Sequence, residues 1–323
     1  MYTSNHYSPA VSVIMPAYNS AGTLKEAIDS VLNQSFKDFE LIICNDASTD
    51  ETKNILNNIQ DDRIRVIHNS SNLGQGPSRD RAFEISRGIW GAVIDSDDAW
   101  VPNRLEVLME TANQVGEGFI FDNILECHDD ALGKIHPWRA IRGKHAFGGD
   151  GSNIVNVSIE NLICSDRSLL KPIFPLHYIR EHAITHGTSR YGQDYAFFLR
   201  ILANGKLPIW YIPKPLYLYR ITPGSACANK NRYKLLKEIL EQEISLFPEA
   251  NIQNAFRKKI ATIDRDEKYI KFIWSIKDKQ FGDALKMLLR NPWFVIEFLL
   301  RAENTLAYHA HRIWHGGLTR GTY

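Results

Sequence analysis

The sequence predicts an α/β protein, built on a doubly wound, mainly parallel sheet with a C-terminal helical extension. Three observations predict it. Through the first hundred residues, short apolar runs alternate with amphipathic stretches of helical period, the pattern of strands joined by crossover helices. Each apolar run ends on a small group of polar or acidic residues. Past residue 229 the strand-like runs stop and the pattern turns helical and basic, with 17 Lys and Arg against 11 Asp and Glu between 230 and 323.

Taken in order, VSVIM (11–15) predicts a buried strand. A helix follows, with Thr23 and Glu26 spaced as a capping box and Leu24, Ala27, Ile28, Val31 and Leu32 on one face. FELIIC (39–44) predicts the second strand, and Ser48 and Glu51 repeat the capping-box spacing before a helix carrying Ile55 and Ile59. IRVIH (64–68) is the third strand. NLGQGP is a loop that places Pro77 at the start of a helix reaching about Ser86, because proline's fixed φ and missing N–H suit a first turn. WGAVI (90–94) is the fourth strand. Farther on, FIFDN and IWYIP predict strands, and DYAFFLRILANG predicts an amphipathic helix ended by Gly205. Its stripe of Phe197, Phe198, Ile201 and Leu202 is core packing. The chain divides on this pattern into 1–115, 116–228 and 229–323, the second boundary lying near ITPGSACANK.

Composition excludes several classes. A formal charge of +1 gives no footprint for nucleic acid. The four cysteines are scattered without a C-x-x-C pair, which predicts a reducing compartment and argues against a disulfide framework or a zinc knuckle. No secretory leader pattern and no apolar run near the roughly 18 residues of a membrane span is visible, so a cytoplasmic protein is expected.

Ligands of open α/β sheets bind beyond the carboxyl ends of the strands. Pro16, Ala17, Tyr18 and Asn19, then Asn45 and Asp46, then Asp95, Ser96, Asp97 and Asp98 are therefore expected to meet in one crevice. No basic residue stands among the three carboxylates of IDSDDAW. Such a cluster is stable around a hard divalent cation, which takes one or two protein carboxylates and completes its shell with water and phosphate oxygens. The plainer alternative is a solvated turn with Asp98 capping the next helix. His182 and His186, spaced H-x-x-x-H, have no third ligand in the vicinity and are not expected to hold a metal.

VSVIMPAYNSAGTLKEAIDSVLNQSFKDFELIICNDASTDET, NLGQGPSRDRA and GAVIDSDDAWVPNRL together resemble the nucleotide-sugar half of the inverting glycosyltransferases of family two, whose fold is GT-A. The resemblance is dense from 11 to about 105 and resumes in YGQDYAFFLRILANGKLPIWYIPKPLYLYR, reaching about 225. The C-terminal hundred residues resemble no named family. The resemblance implies that Pro16, Ala17, Tyr18 and Asp46 receive the base, Asp46 accepting from the ring N–H of uracil. It implies that Arg79, or Arg81 two residues on, lines the nucleotide. Asp95, with Ser96 in the same turn, and Asp97 would meet ribose and metal, with Asp98 as a third metal ligand. Asp194 would be the catalytic base. The family usually has Glu before this aspartate, and Gln193 stands there, which keeps the hydrogen bonding without the charge.

These roles imply a single displacement dependent on Mn²⁺ or Mg²⁺. One sugar passes from a nucleotide-sugar donor, expected to be a UDP-sugar, to a saccharide acceptor carried on polyprenyl diphosphate. The setting is surface polysaccharide biosynthesis, whether of exopolysaccharide, capsule or O-antigen. For the segment 291–314, bulky apolar side chains with basic flanks suit peripheral contact with the cytoplasmic face of the inner membrane. Packing on the catalytic domain or a second subunit is the other reading. Processive synthases would add transmembrane helices and Q-x-x-R-W, which are missing. A sugar nucleotidyltransferase would need an early basic phosphate loop, yet no Lys or Arg precedes Lys25. An inactive nucleotide-sugar-binding scaffold is the reading from another class, and the intact Asp95, Asp97 and Asp194 argue against it.

Overall fold

The computed structural model describes residues 8–129, 133–143, 145–165, 169–189, 192–221 and 232–299. The N-terminal half runs β1 (Val11–Ala17), α1 (Leu24–Leu32), β2 (Phe39–Asn45), α2 (Thr52–Asn57), β3 (Ile64–His68), α3 (Gln75–Glu84) and β4 (Trp90–Val93). Every residue of β1, β2 and β4 is buried, as expected of central strands covered on both faces. Then come β5 (Ala99–Trp100), α4 (Arg104–Val115), β6 (Phe119–Asp129), β7 (Ile135–Ala140), β8 (Val155–Val157), α5 (Ile159–Cys164), β9 (Ile173–Pro175), α6 (Leu176–Glu181), α7 (Gln193–Gly205) and β10 (Ile209–Arg220). The helices α8 (Arg232–Glu243), α9 (Ala250–Lys277) and α10 (Phe281–Arg290) follow. The expected boundary at ITPGSACANK falls outside the described residues.

One sheet carries the domain, in the order β3-β2-β1-β4-β9-β6-β10-β5, with β7 added to β6 and β8 to β10. The pairs β3-β2, β2-β1, β1-β4 and β6-β10 are parallel, whereas β9 lies antiparallel between β4 and β6. Apart from β9, the strands from β3 through β10 in this order thus point their carboxyl ends to one side. Alternate residues feed two cores. Val11, Val13 and Met15 of β1 pack with α1 and α4, while Ile14 faces the cluster of α3, α7 and α9 built on Phe83, Phe197, Phe198 and Phe256.

Neither expected capping box forms. Thr23 is the N-cap of α1, but its hydroxyl donates to the Ser96 carbonyl at 2.9 Å, and Glu26 pairs with Arg220. Asp50, rather than Ser48, caps α2 by accepting from the Thr52 N–H at 3.0 Å, and the Ser48 hydroxyl accepts from the Asn19 N–H. In both places the polar side chains reach across to neighbouring loops, which ties the ends of β1, β2 and β4 together.

The C-terminal helices stack on the α7 face. Phe256 and Ile263 of α9 enter the main core, and Tyr269, Phe272, Ala284 and Phe294 close a small core between α9 and α10. The other apolar side of α10 is bare: Phe281, Leu285 and Leu289 are 65%, 56% and 75% exposed.

At the amino ends of the strands, remote from the acidic loops, Glu40 of β2 is buried. Burial alone raises its carboxyl, but hydrogen bonds from the Ser12 hydroxyl (2.7 Å), the Arg87 N–H (2.6 Å) and the Arg87 and Arg65 guanidiniums outweigh it and hold the group below its usual range. A depressed folded-state pKa stabilises above the unfolded value and loses that effect as pH falls through the folded one. Glu40→Gln is therefore expected to lose about 1–3 kcal/mol at neutral pH. The melting temperatures of the two proteins should converge as pH falls through the lowered folded-state value of Glu40, which thermal unfolding across pH will show; a constant gap would mean that packing, not charge, sets the loss.

Candidate active site

The loops beyond β1, β2 and β4 converge as expected. Pro16 and Ala17 are the last two residues of β1 and are buried, so the expectation that they receive a base narrows to their backbone and to Tyr18, which is 47% exposed at the rim. Asn19 takes a left-handed φ of 49° and accepts from the Thr49 N–H at 2.8 Å, locking the first loop to the second. Asp46 is buried and accepts from Asn69 Nδ2 (2.7 Å), the Leu73 N–H (2.8 Å) and the Gly74 N–H (2.8 Å). With these three donors Asp46 shapes the loop before α3.

Arg79 projects from α3 with its side chain fully buried and bridges two carboxylates far apart in sequence. It donates to Asp95 Oδ1 at 2.5 Å and forms an ion pair with Asp194. Arg81, the alternative, bonds Asn69 instead. Lys171, just before β9, adds a second cation, its Nζ 2.5 Å from Asp95 Oδ2 and 3.9 Å from Asp194 Oδ2. The local sequence, with no basic residue among the carboxylates, therefore misrepresents the charge: two cations arrive from 16 and 76 positions away. Lys171 was missed because it stands in no motif. The one available signal was a lone lysine between apolar residues at the start of a strand.

The three acidic residues of the turn have different fates. Burial would raise the Asp95 carboxyl, but Lys171 and Arg79 hold it well below the usual range. Asp97 is half-buried and takes no side-chain donor among the described residues; burial and the neighbouring Asp95 push its carboxyl up. Asp98 is turned inward, accepting from the Tyr217 hydroxyl at 2.6 Å and the Arg220 N–H at 2.9 Å, and burial raises it well above the usual range. Both Asp98 oxygens thus accept from β10. The Ser96 hydroxyl shares a hydrogen bond with Ser20 at 2.7 Å.

A divalent cation fits this set. Asp97 is a hard oxygen donor whose raised carboxyl a cation would relieve, and Asp95 stands two residues away. Among the described residues no group of three or more His, Cys, Asp or Glu converges on a point, so most of a cation's shell would come from phosphate and water. The two histidines of the H-x-x-x-H pair have separate surroundings. His186 is buried, bonded to Asp80 at 2.6 Å and stacked 3.8 Å from the Phe197 ring, while His182 lies against Tyr178.

Asp194 sits in the first turn of α7, after Gly192 at a φ of 65°, with its side chain 30% exposed. Gln193 is buried and its Oε1 accepts from the Gly76 N–H at 3.1 Å, joining α7 to α3. Either Gln or Glu supplies that acceptor, which accounts for the departure at this position.

The mainly parallel sheet with this acidic turn at its carboxyl edge has the GT-A architecture. The chain belongs to Glycosyl transferase family 2, whose profile matches residues 12–174; Asp194 lies beyond the matched segment. It is similar to the Escherichia coli glucosyltransferase WfaP, 31% identical over 72% of this chain and 83% of the relative. It is also similar to the Campylobacter jejuni GalNAc(5)-diNAcBac-PP-undecaprenol beta-1,3-glucosyltransferase, 29% identical over 74% and 76%. Among solved structures, S. aureus TarS 1–349 with UDP-GlcNAc superposes with a TM-score of 0.62 at 19% identity, covering 78% of this chain and 71% of that one. That likeness is one of fold.

The close contact of α3 with α7 is testable. A Cβ on Gly76 would fall 2.5 Å from Gln193 Oε1 and 2.9 Å from the Gly187 carbonyl oxygen. Gly76→Ala is expected to displace Gln193, lowering stability by about 1–3 kcal/mol, and to reduce turnover by moving Asp194. An unchanged melting temperature would mean that the two helices can part without cost.

Proposed function

We propose that the protein transfers one sugar from a UDP-sugar to a saccharide acceptor on polyprenyl diphosphate, with inversion, in bacterial surface polysaccharide assembly. The observation that carries this reading is Asp194 held by the same cations as Asp95, so that a base faces the donor turn. WfaP and WfgD are UDP-Glc:alpha-D-GlcNAc-diphosphoundecaprenol beta-1,3-glucosyltransferases by name, which supports both the donor and the lipid-linked acceptor. Family membership weighs against a nucleotidyltransferase.

In this mechanism Tyr18 and Asp46 receive the uracil, which carries a ring N–H that cytosine lacks. Asp95 and Asp97 would hold Mn²⁺ or Mg²⁺ with the diphosphate, and the bound cation would neutralise charge developing on the leaving group. Asp194 takes the proton from the acceptor hydroxyl as that oxygen attacks the anomeric carbon. The bond to the diphosphate breaks as the new glycosidic bond forms on the opposite face, so no covalent intermediate is needed. Asp194→Asn is expected to lower turnover at least about a hundredfold while UDP binding, followed by calorimetry with Mn²⁺, stays near wild type. Normal turnover would remove Asp194 from the role.

The reading extends to a lipid surface. No helix among the described residues is long and apolar enough to cross a membrane. Segment 291–314 is described only to 299: there Phe294 is buried, but Val295, Ile296, Phe298 and Leu299 are 49–65% exposed. Phe281, Leu285 and Leu289 of α10 are exposed as well, and Lys286 and Arg290 stand in the same helix. Apolar side chains beside basic ones suit a helix lying in an anionic interface on the cytoplasmic side. The full chain is expected to float with anionic vesicles, less so in high salt, and Leu285→Glu with Leu289→Glu to stay in solution while still binding UDP. Equal flotation of the variant would assign this face to another partner.

A further inference from the structure

Lys171 helps to hold Asp95 and Asp194, and its surroundings give it a further role. Its side chain is 2% exposed, and a buried ammonium is costly unless paired. Arg79 addresses the Oδ1 atoms of Asp95 and Asp194, whereas Lys171 addresses the Oδ2 atoms of the same two carboxylates. The lysine is held in place from behind. Its carbonyl accepts from the Arg104 guanidinium, which is itself fixed by Asp122 at 2.7 Å and lies over the Trp100 and Tyr217 rings at 4.6 and 5.1 Å. The Lys171 ammonium also lies 5.3 Å from the centre of the Tyr217 ring, whose hydroxyl bonds Asp98.

The charge distribution has a consequence. Asp95 already has two counter-ions, while Asp97 has no side-chain partner among the described residues. A divalent cation approaching without nucleotide therefore meets two fixed positive charges that offset the carboxylates of Asp95 and Asp194, and Asp97 is the acidic group of the turn left without such a partner. A nucleoside diphosphate brings its own negative charge and oxygen ligands, which offsets that repulsion.

Building on the transferase reading, we propose that Lys171 is a positioning residue, a resident counter-ion that ties Asp95 to Asp194 and prevents the divalent cation from binding ahead of the nucleotide diphosphate. Removing its charge should improve metal binding, the opposite of what loss of a merely structural contact would do. The test is calorimetry of the full chain with Mn²⁺ alone. Lys171→Met is expected to bind Mn²⁺ at least about tenfold more tightly than wild type, and Lys171→Arg, which keeps the charge, to match wild type. Lys171→Gln, neutral and able to hydrogen-bond Asp95, should follow Lys171→Met and serves if the apolar variant folds poorly. Neutral variants that bind Mn²⁺ no better than wild type overturn the proposal. So does Lys171→Arg behaving like Lys171→Met, since packing rather than charge would then be responsible. Wild-type binding of UDP with Mn²⁺ is measured separately: its failure removes the donor reading and leaves the Lys171 comparison standing.

Discussion

Arg79 is the constraint on which the site depends. A guanidinium with no exposure must be paired, because an uncompensated buried charge is among the costliest defects a fold can carry. Its two partners come from the turn after β4 and the start of α7, so burying Arg79 forces these two segments together. The pairing also explains why α3 approaches α7 closely enough to need glycine at position 76. Two other arginines are as deeply buried and do related work. Arg104 joins α4 to β6 and to the segment before β9 through Asp122 and the Lys171 carbonyl. Arg220 joins the end of β10 to Glu26, Asp129 and the Asp97 carbonyl. Each arginine binds elements that the chain order keeps apart.

The strands and the position of the crevice were legible in the sequence for a simple reason. Central parallel strands are apolar on both faces, so Val11–Ala17 and Phe39–Asn45 stand out as runs, and the polar residues that end them lie at the carboxyl edge. What was not legible depends on competition between distant groups. Thr23 and Glu26 have capping-box spacing, yet the Ser96 carbonyl and Arg220 offer better partners. Asp98 matches a ligand position, yet Tyr217, 119 residues later, takes it inward. Lys171 has no local signature, because its role comes from two aspartates and an arginine supplied by other elements. The insertion of β9 antiparallel between β4 and β6 was likewise invisible, a three-residue strand being too short to show a period.

The three buried arginines also show where the site has to be. Arg104 and Asp122 are both fully enclosed, and a closed pair of this kind often contributes little net stability over apolar packing of equal volume. Its consequence is geometric, since it fixes the backbone carbonyl of Lys171. Arg79 is enclosed to the same degree, but its partners are not: the Asp95 and Asp194 side chains are 18% and 30% exposed. The cations lie in the floor of the cleft while the carboxylates face water. The orientation of these acidic groups is thus set from below. Preorganised charge of that sort gains more from a developing negative or positive centre than a solvated turn can. It distinguishes the Asp95–Asp97 turn from the ordinary acidic turn that its sequence alone would also allow.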